Sequence, residues 1–465
     1  MIRLTDTLRK RKTEFIPVEK GKVKMYTCGP TVYNTVHIGN ARPAVVFDSL
    51  RRYFEYKGYR VTYVMNFTDI DDKIINRMKD EGWDYDLITT TFIREYLRDM
   101  QSLGVKPANY HPRTSHFVPE TIDFIERLVD KGFAYAVEGE IFYNVKKFPG
   151  YGELSHRKLE DMLSGARIEV DRRKKNPGDF TLWKPAKADE PYWNSPWGKG
   201  RPGWHIECSV MSTTLLGSPF DIHAGGNDLI FPHHENEKAQ SESCLGGKFA
   251  NYWLHNGMLQ MNGSKMAKSV GNIISIRDAV SRYGKDAVRM FLFSTQFRSP
   301  IDYSEDRFEE WRKGAGRVNN ALLRVEEIFD TVPPFQQRKT EWLEAKRQLF
   351  EKYLDDDFNT PRVLSLIFDI VKEMNATADK PFLKQAYWLI KGEWADVLGL
   401  FTEVPVKTKT TDTSGIDKIM ELILHSRETF RKNKMYEQAD KIRDGLNEAG
   451  IKLLDTPDGT KWQQN

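Results

Sequence analysis

The chain has 465 residues, of which 40% are hydrophobic and 29% charged, the composition of a folded protein with about three domains at roughly 150 residues each. No stretch approaches the ~18 apolar residues of a membrane span, and Met1–Asp6 carries no apolar run with a small-residue cleavage site, so neither a span nor a secretory signal is expected. Only Cys28, Cys208 and Cys244 are present, which excludes a disulfide framework and suits a reducing, cytoplasmic setting; 70 Lys and Arg against 66 Asp and Glu leave +4, which neither requires nor excludes a nucleic-acid partner.

In chain order, Val23–Cys28 reads as a strand, broken by Gly29-Pro30-Thr31. Apolar spacing predicts a helix from about Ala41 to Tyr56, stopped by Lys57-Gly58. Arg60–Phe67 reads as a second, β-branched and aromatic strand. Two strands joined by a crossover helix are usually parallel, so a doubly wound sheet is expected. Residues 115–200, rich in Gly, Pro, Lys and Trp, read as an insertion that contains a strand at Gly139–Asn144. The α/β pattern resumes with a strand at Pro219–Ala224, a Gly225-Gly226 turn and a helix expected from Pro232 to about Ser243. Beyond residue 275 the pattern is helical, with Thr360 and Pro361 read as cap and first residue of one helix. Thr402–Gly415 is a polar linker, and the last 50 residues read as a helical pair and a hairpin.

Three constellations could carry chemistry. Cys28-Gly-Pro-Thr-Val-Tyr-Asn-Thr-Val-His37-Ile-Gly39-Asn40 follows the first strand, where open parallel sheets bind ligands. A helix N-terminus there offers N–H groups to phosphate, and His37 could donate to phosphoryl oxygens. Taken alone, an ordinary tight turn with a satisfied histidine is the better account. Asn262-Gly-Ser-Lys265-Met-Ala267-Lys268-Ser places two lysines where they could neutralise polyphosphate charge. A solvated surface loop explains it equally well. Cys28, Cys208, His233 and Glu237 are all suitable Zn²⁺ ligand types, and His233 and Glu237 share a helix face. Yet 180 residues separate the two cysteines, and on the residues alone two buried cysteines with an ordinary exposed Glu are the better account.

Together, the histidine–glycine turn and the lysine loop resemble the His-Ile-Gly-His and Lys-Met-Ser-Lys-Ser signatures of class I aminoacyl-tRNA synthetases. Asn40 replaces the final histidine and Ala267 the serine. Asn40 can donate a hydrogen bond but carries no charge, so it is given no proton-transfer role. Tyr26-Thr-Cys28-Gly-Pro-Thr, Asn66-Phe-Thr-Asp-Ile-Asp-Asp-Lys73, Asp179-Phe-Thr-Leu-Trp-Lys184, Gly203-Trp-His-Ile-Glu-Cys208, Phe231-Pro-His-His-Glu-Asn-Glu237, Ala439-Asp-Lys-Ile-Arg443 and Asp455–Trp462 narrow the resemblance to the bacterial cysteinyl-tRNA synthetase family.

That resemblance implies an α/β fold: a Rossmann-type doubly wound parallel sheet with an insertion, then a helical bundle and a small C-terminal module. The expected parts are catalytic halves at 1–115 and 201–275, a connective insertion at 116–200 and a helical junction at 276–320. A tRNA-binding bundle at 321–401, a linker at 402–415 and an anticodon-binding module at 416–465 follow. It implies one Zn²⁺ at Cys28, Cys208, His233 and Glu237, Mg²⁺ with ATP, and L-cysteine, ATP and tRNA(Cys) as partners of a monomer. His37, Lys265 and Lys268 are the expected catalytic groups. His37, Gly39, Asn40 and Lys268 would bind ATP, and Thr68, Trp204, His205, His223 and Asp228 would contact substrate. Arg427, Arg431, Lys432, Lys434 and Trp462 are candidate tRNA contacts. A cluster of acids at Asp69, Asp71 and Asp72 reads as helix N-terminal charge.

A metal would answer a selectivity problem. One small group in a pocket is worth about 1–3 kcal/mol, whereas ~10⁴-fold discrimination needs roughly 5–6 kcal/mol. Zinc binds a thiolate readily, and a serine hydroxyl is far less acidic. Serine would then be rejected at the first step, without an editing domain. The alternative is an ATP-dependent ligase joining cysteine to a small amine, which would not need the 416–465 tail.

Overall fold

The computed structural model describes residues 1–158, 171–261, 264–265, 273–335, 340–402, 413–433, 435–448, 451–456 and 459–464. Lys268 and Lys434 lie outside these. The chain divides into two compact units, Met1–Thr402 and Glu403–Asn465.

The first unit opens with a hairpin of β1 (Arg3–Asp6) and β2 (Arg11–Glu14). β3 (Lys22–Thr27), helix α1 (Ile38–Tyr56) and β4 (Arg60–Met65) then form the expected β–α–β unit, with Met25 opposite Tyr63 in parallel register. Helices α2 (Asp72–Glu81) and α3 (Tyr85–Ser102) lead away from β4. Later, β10 (Phe220–Gly226) and β11 (Ala250–Asn256) complete a parallel sheet of order β11-β10-β3-β4. The chain therefore winds outward in both directions from the β3/β10 boundary, and the carboxyl ends of those two strands form the crevice of a doubly wound fold. Nearly every β10 side chain is buried, as a central parallel strand covered on both faces requires.

α1 starts three residues before the position its apolar spacing suggests, because His37 caps it. His37 Nδ1 accepts from Gly39 N–H at 3.1 Å, and Asn40 Oδ1 accepts from His37 N–H at 3.2 Å. A Cβ at Gly39 would meet the His37 ring at 2.9 Å, so this cap needs glycine there. The helix expected from Pro232 begins instead at Glu235 and runs to Leu245. Phe231 is extended, at φ −138° and ψ 132°, the conformation a following proline imposes. At 360–375 the cap is the Asn359 side chain, which accepts from Arg362 N–H; the Thr360 hydroxyl donates to Phe293 O at 3.0 Å. Asp71 caps α2, whereas Asp69 is buried and accepts from Ser115 N–H and hydroxyl at 2.9 and 2.6 Å.

The insertion holds an antiparallel sheet of β5 (Ala134–Val137), β6 (Glu140–Tyr143), β7 (Phe180–Pro185), β8 (Trp193–Ser195) and β9 (Gly198–Pro202), in order β5-β6-β7-β9-β8. Ile141, Leu182 and Trp183 share a core with helix α4 (Val118–Asp130) and with Ile206, Val210 and Ala239. The helices Ile206–Leu216 and Glu235–Leu245 thus rest on the insertion.

After β11, β12 (Leu259–Met261) pairs with β13 (Ser264–Lys265) and β14 (Ile301–Tyr303). Helices occupy most of Ile276–Phe293, Glu305–Ile328 and Glu341–Leu398. Buried Arg289 braces them: its guanidinium donates to Leu398 O at 2.9 Å, Leu103 O at 2.9 Å and Ser49 Oγ at 2.8 Å. The second unit has helices Thr413–Lys432 and Tyr436–Glu448 and an antiparallel hairpin of β15 (Ile451–Thr456) and β16 (Gly459–Gln464). Among the described residues no helix is long and apolar enough to cross a membrane.

Candidate active site and metal centre

A cavity of about 560 Å³ lies at the carboxyl ends of β3, β10 and β11, lined among others by Cys28, His37, Asn40, Asp228 and Asn256. Its near wall is the Cys28–Val36 loop, fastened to the segment after β4. Gly29 N–H donates to Asn66 Oδ1 at 2.8 Å, and Val32 N–H to Thr68 O at 3.1 Å. A Cβ on Gly29 would fall 1.7 Å from Asn66 O, so the loop packs this closely only with glycine. Thr68, expected at the substrate, is buried and does not line the cavity; its hydroxyl accepts from Asn66 Nδ2 at 3.3 Å. It belongs to the loop's support.

Behind Cys28 the structure gathers the four expected ligands. One donor atom from each of Cys28, Cys208, His233 and Glu237 lies within 4.8 Å of every other. The two Sγ atoms are 3.7 Å apart, Cys28 Sγ is 3.4 Å from Glu237 Oε1, and His233 Nε2 is 2.7 Å from the same oxygen. Four separate segments supply them: the end of β3, the helix after β9, the turn at 230–234 and the helix that follows it. Glu237 is fully buried, not exposed, and no Lys or Arg offsets it within ion-pair distance among the described residues. Its Oε2 has no aligned hydrogen-bond partner, although His223 Nε2 is 3.0 Å away. Two thiols, an imidazole and a carboxylate converging with no Lys or Arg in ion-pair reach among the described residues form a donor set that fits a divalent metal of zinc's preferences.

Imidazoles surround this quartet. His234 Nε2 lies 3.2 Å from Cys28 Sγ, its Nδ1 meets His255 Nε2 at 2.8 Å, and His255 Nδ1 meets Thr7 Oγ1 at 2.7 Å. Cys28, His223, His234 and Glu237 form a second close group. Burial holds His205 and His255 down to about 3. Burial also works against a charged His233, but Glu237 and Cys208 overcome it and raise its pKa to about 10, so a metal ion taking that nitrogen displaces a proton. Sequence reasoning missed His234 and His255. His234 stands beside His233, three residues before Glu237, and that spacing was the available signal. For His255, on a strand, there was none.

The remaining expected contacts divide. Asp228 lines the cavity. His205 and His223 pack around the quartet, His205 Nδ1 lying 3.1 Å from His233 Nδ1. Trp204 is 43% exposed and stacks on His233, with centroids 4.6 Å apart. His37, Gly39 and Asn40 form the N-terminal turn of α1 at the cavity edge. Lys265 is backbone-paired to Gln260, and Ile274 and Ser275 lie beside the start of α1: Ile38 N–H donates to Ile274 O at 3.1 Å, and Ser275 bridges His37. In the second unit Arg431 and Lys432 are exposed, whereas Arg427 is buried and so is not offered to solvent as its spacing suggested. Trp462 lies opposite Leu453 in the hairpin.

Residues 14–313 match the model of the tRNA synthetases class I (C) catalytic domain, and residues 349–402 match the DALR domain. A methionyl-tRNA synthetase of Mycobacterium tuberculosis, solved with methionyl-adenylate, superposes with a TM-score of 0.60 at 15% identity, covering 81% of this chain and 89% of its own. The LeuRS–tRNA–LeuAMS ternary complex of Agrobacterium radiobacter gives 0.60 at 12%, over 83% and 85%. These likenesses and the crevice describe a class I tRNA synthetase fold. A cysteine--tRNA ligase of Thermosipho africanus is 52% identical over 99% of this chain and 98% of its own length, and one of Thermotoga maritima is 50% identical over 99% of each. The chain belongs to the cysteine--tRNA ligase family of the class I synthetases.

Proposed function

We propose that the chain activates L-cysteine with ATP, giving cysteinyl-adenylate and pyrophosphate, and then transfers the cysteinyl group to the 3′-terminal ribose of tRNA(Cys). The reading rests above all on the buried quartet behind Cys28, in a chain of this family. Cys28, Cys208, His233 and Glu237 would hold one Zn²⁺, whose preference for a thiolate over a hydroxyl favours cysteine over serine at binding.

The chain's own groups do the rest by position and charge. Because His37 Nδ1 accepts from Gly39, the ring proton sits on Nε2, which makes that nitrogen the donor toward the phosphates. The N–H groups of the first α1 turn add partial positive charge at the same edge. Lys265 and Lys268 neutralise the charge that grows on the α-phosphate and the departing pyrophosphate, with Mg²⁺ accompanying ATP. Asp228 and Trp204 bound the amino-acid side, and His205 and His223 orient the quartet.

In this reading 1–115 and 201–275 are the catalytic halves, 116–200 connects them, and 276–320 leads to a tRNA-binding bundle at 321–401. The 402–415 linker joins this to 416–465, which reads the anticodon through Arg431, Lys432, Lys434 and Trp462. The monomeric state and cytoplasmic location expected above belong to the same reading. No observation favours transfer to a small amine.

The test is cysteine-dependent exchange of pyrophosphate into ATP, with and without Cys208→Ser, followed by charging of tRNA(Cys). Exchange in the native chain, its loss in Cys208→Ser and exclusion of serine are expected. Serine-driven AMP release through hydrolysis of misacylated tRNA would overturn selection at the first step.

A further inference from the structure

A second cavity, of about 620 Å³, lies between α3, the end of β4 and residues 105–113. Its volume falls within the ~300–1,000 Å³ typical of small-molecule sites. The body is apolar, built from Ile93, Leu97, Met100, Val105 and Pro107, and no Asp or Glu is among its described lining residues. The charged lining groups are all cations. Arg98 pairs with Glu95 at 3.5 Å and Lys106 with Asp396 at 3.1 Å. Arg94 and Arg113 also line it, and neither has an acid within ion-pair distance among the described residues. Asp69, the acid whose ionisation Arg113 favours, is already held by Ser115. His111, on the same wall, has both ring nitrogens engaged, by Met65 O at 2.9 Å and Ala108 N–H at 3.1 Å. Two arginines on the lining of an apolar, acid-free hollow suit a carboxylate or sulfonate with a hydrophobic body, since guanidinium binds such groups through paired hydrogen bonds.

The cavity is not isolated from the catalytic one. Met65 and Tyr96 line both, and the Tyr96 hydroxyl lies 3.1 Å from Met65 Sδ. A closely packed wall of two side chains moves as a unit when one face is pressed.

We propose that this hollow is a second binding site, for a small amphipathic monoanion, and that its occupant is felt in the catalytic cavity through Met65 and Tyr96. The head group sits at Arg94 and Arg113, and the apolar body lies along Ile93 and Leu97.

The probe is anilinonaphthalene sulfonate, titrated into the full chain by fluorescence, with decanoate and ATP as competitors. One saturable site is expected, displaced by decanoate and indifferent to ATP. Arg94→Ala with Arg113→Ala should weaken it about tenfold or more, Arg94→Lys, which keeps the charge but loses the fork, should bind more tightly than Arg94→Ala and more weakly than the native chain, and Leu97→Trp should fill the hollow. Far-UV circular dichroism and melting temperature identify any variant that merely fails to fold. No saturable site, a site that ATP displaces, or binding unmoved in folded forms of the double variant and Leu97→Trp would overturn the site. The coupling is read separately, as a decanoate-dependent shift in KM for ATP or cysteine in pyrophosphate exchange that Leu97→Trp abolishes. Binding with no such shift would overturn the coupling alone, and the binding arm stands apart from the activity proposed above.

Discussion

The two halves of the catalytic crevice are built differently. On the side proposed to take the amino acid, the structure gathers buried side chains: Cys28, Cys208, His233 and Glu237 arrive from four segments and are wrapped by further imidazoles. On the side proposed for the nucleotide, the geometry is mostly backbone: a capped helix start and a strand-like bridge between His37 and Ser275. Telling sulfur from oxygen depends on donor atoms held at fixed separations, which a packed interior secures. Triphosphate recognition depends on positive potential, which N–H groups and lysines supply with less exact placement.

That contrast sets an order of damage. Cys208→Ser should abolish stoichiometric metal, measured by elemental analysis, and cut cysteine-dependent exchange the most, because a buried hydroxyl replaces a thiolate ligand. Lys268→Ala should lower kcat by about 10²–10³-fold while metal content stays unchanged. Loss of metal in that variant would break the division between the halves. His255→Ala removes the group that meets His234 Nδ1; it should weaken metal retention by about 10–100-fold in a chelator competition, with KM for ATP unmoved. The smallest effect belongs to Asn40→Ala, which deletes half of the α1 capping box. It should cost about 1 kcal/mol in urea unfolding and alter ATP binding only slightly.

Legibility in the sequence followed the same divide. The parallel core was readable because β-branched and aromatic runs at 22–27 and 60–65 flank one helical period, a local pattern. The α1 start was misplaced because a histidine cap has no strong signature in sequence. Asn359 was passed over for the neighbouring Thr360 because both are good cap residues and only the backbone distinguishes them. Cys28 and Cys208 could be paired through family resemblance but not through spacing, since 180 residues of chain say nothing about a 3.7 Å approach. Thr68 carries the same hydroxyl whether it faces a ligand or supports a loop, and its place beneath the Cys28 loop is a tertiary fact. The burial of Arg427 is tertiary too.

The insertion sheet has a consequence for anyone wishing to pare this enzyme down. Tyr143 at the end of β6 and Tyr151 in the turns that follow donate to Ala239 O and Asn236 Oδ1, at 3.0 and 2.6 Å, and the Gly152 and Ser155 N–H groups grip the Glu235 carboxylate at 2.9 and 2.7 Å. These contacts seize the helix that carries Glu237 on either side of that residue. Excising residues 134–202 to reach a minimal core would therefore strip the scaffolding from the wall bearing two of the four proposed ligands, and the trimmed protein should lose the capacity to hold a metal ion before it loses its parallel sheet.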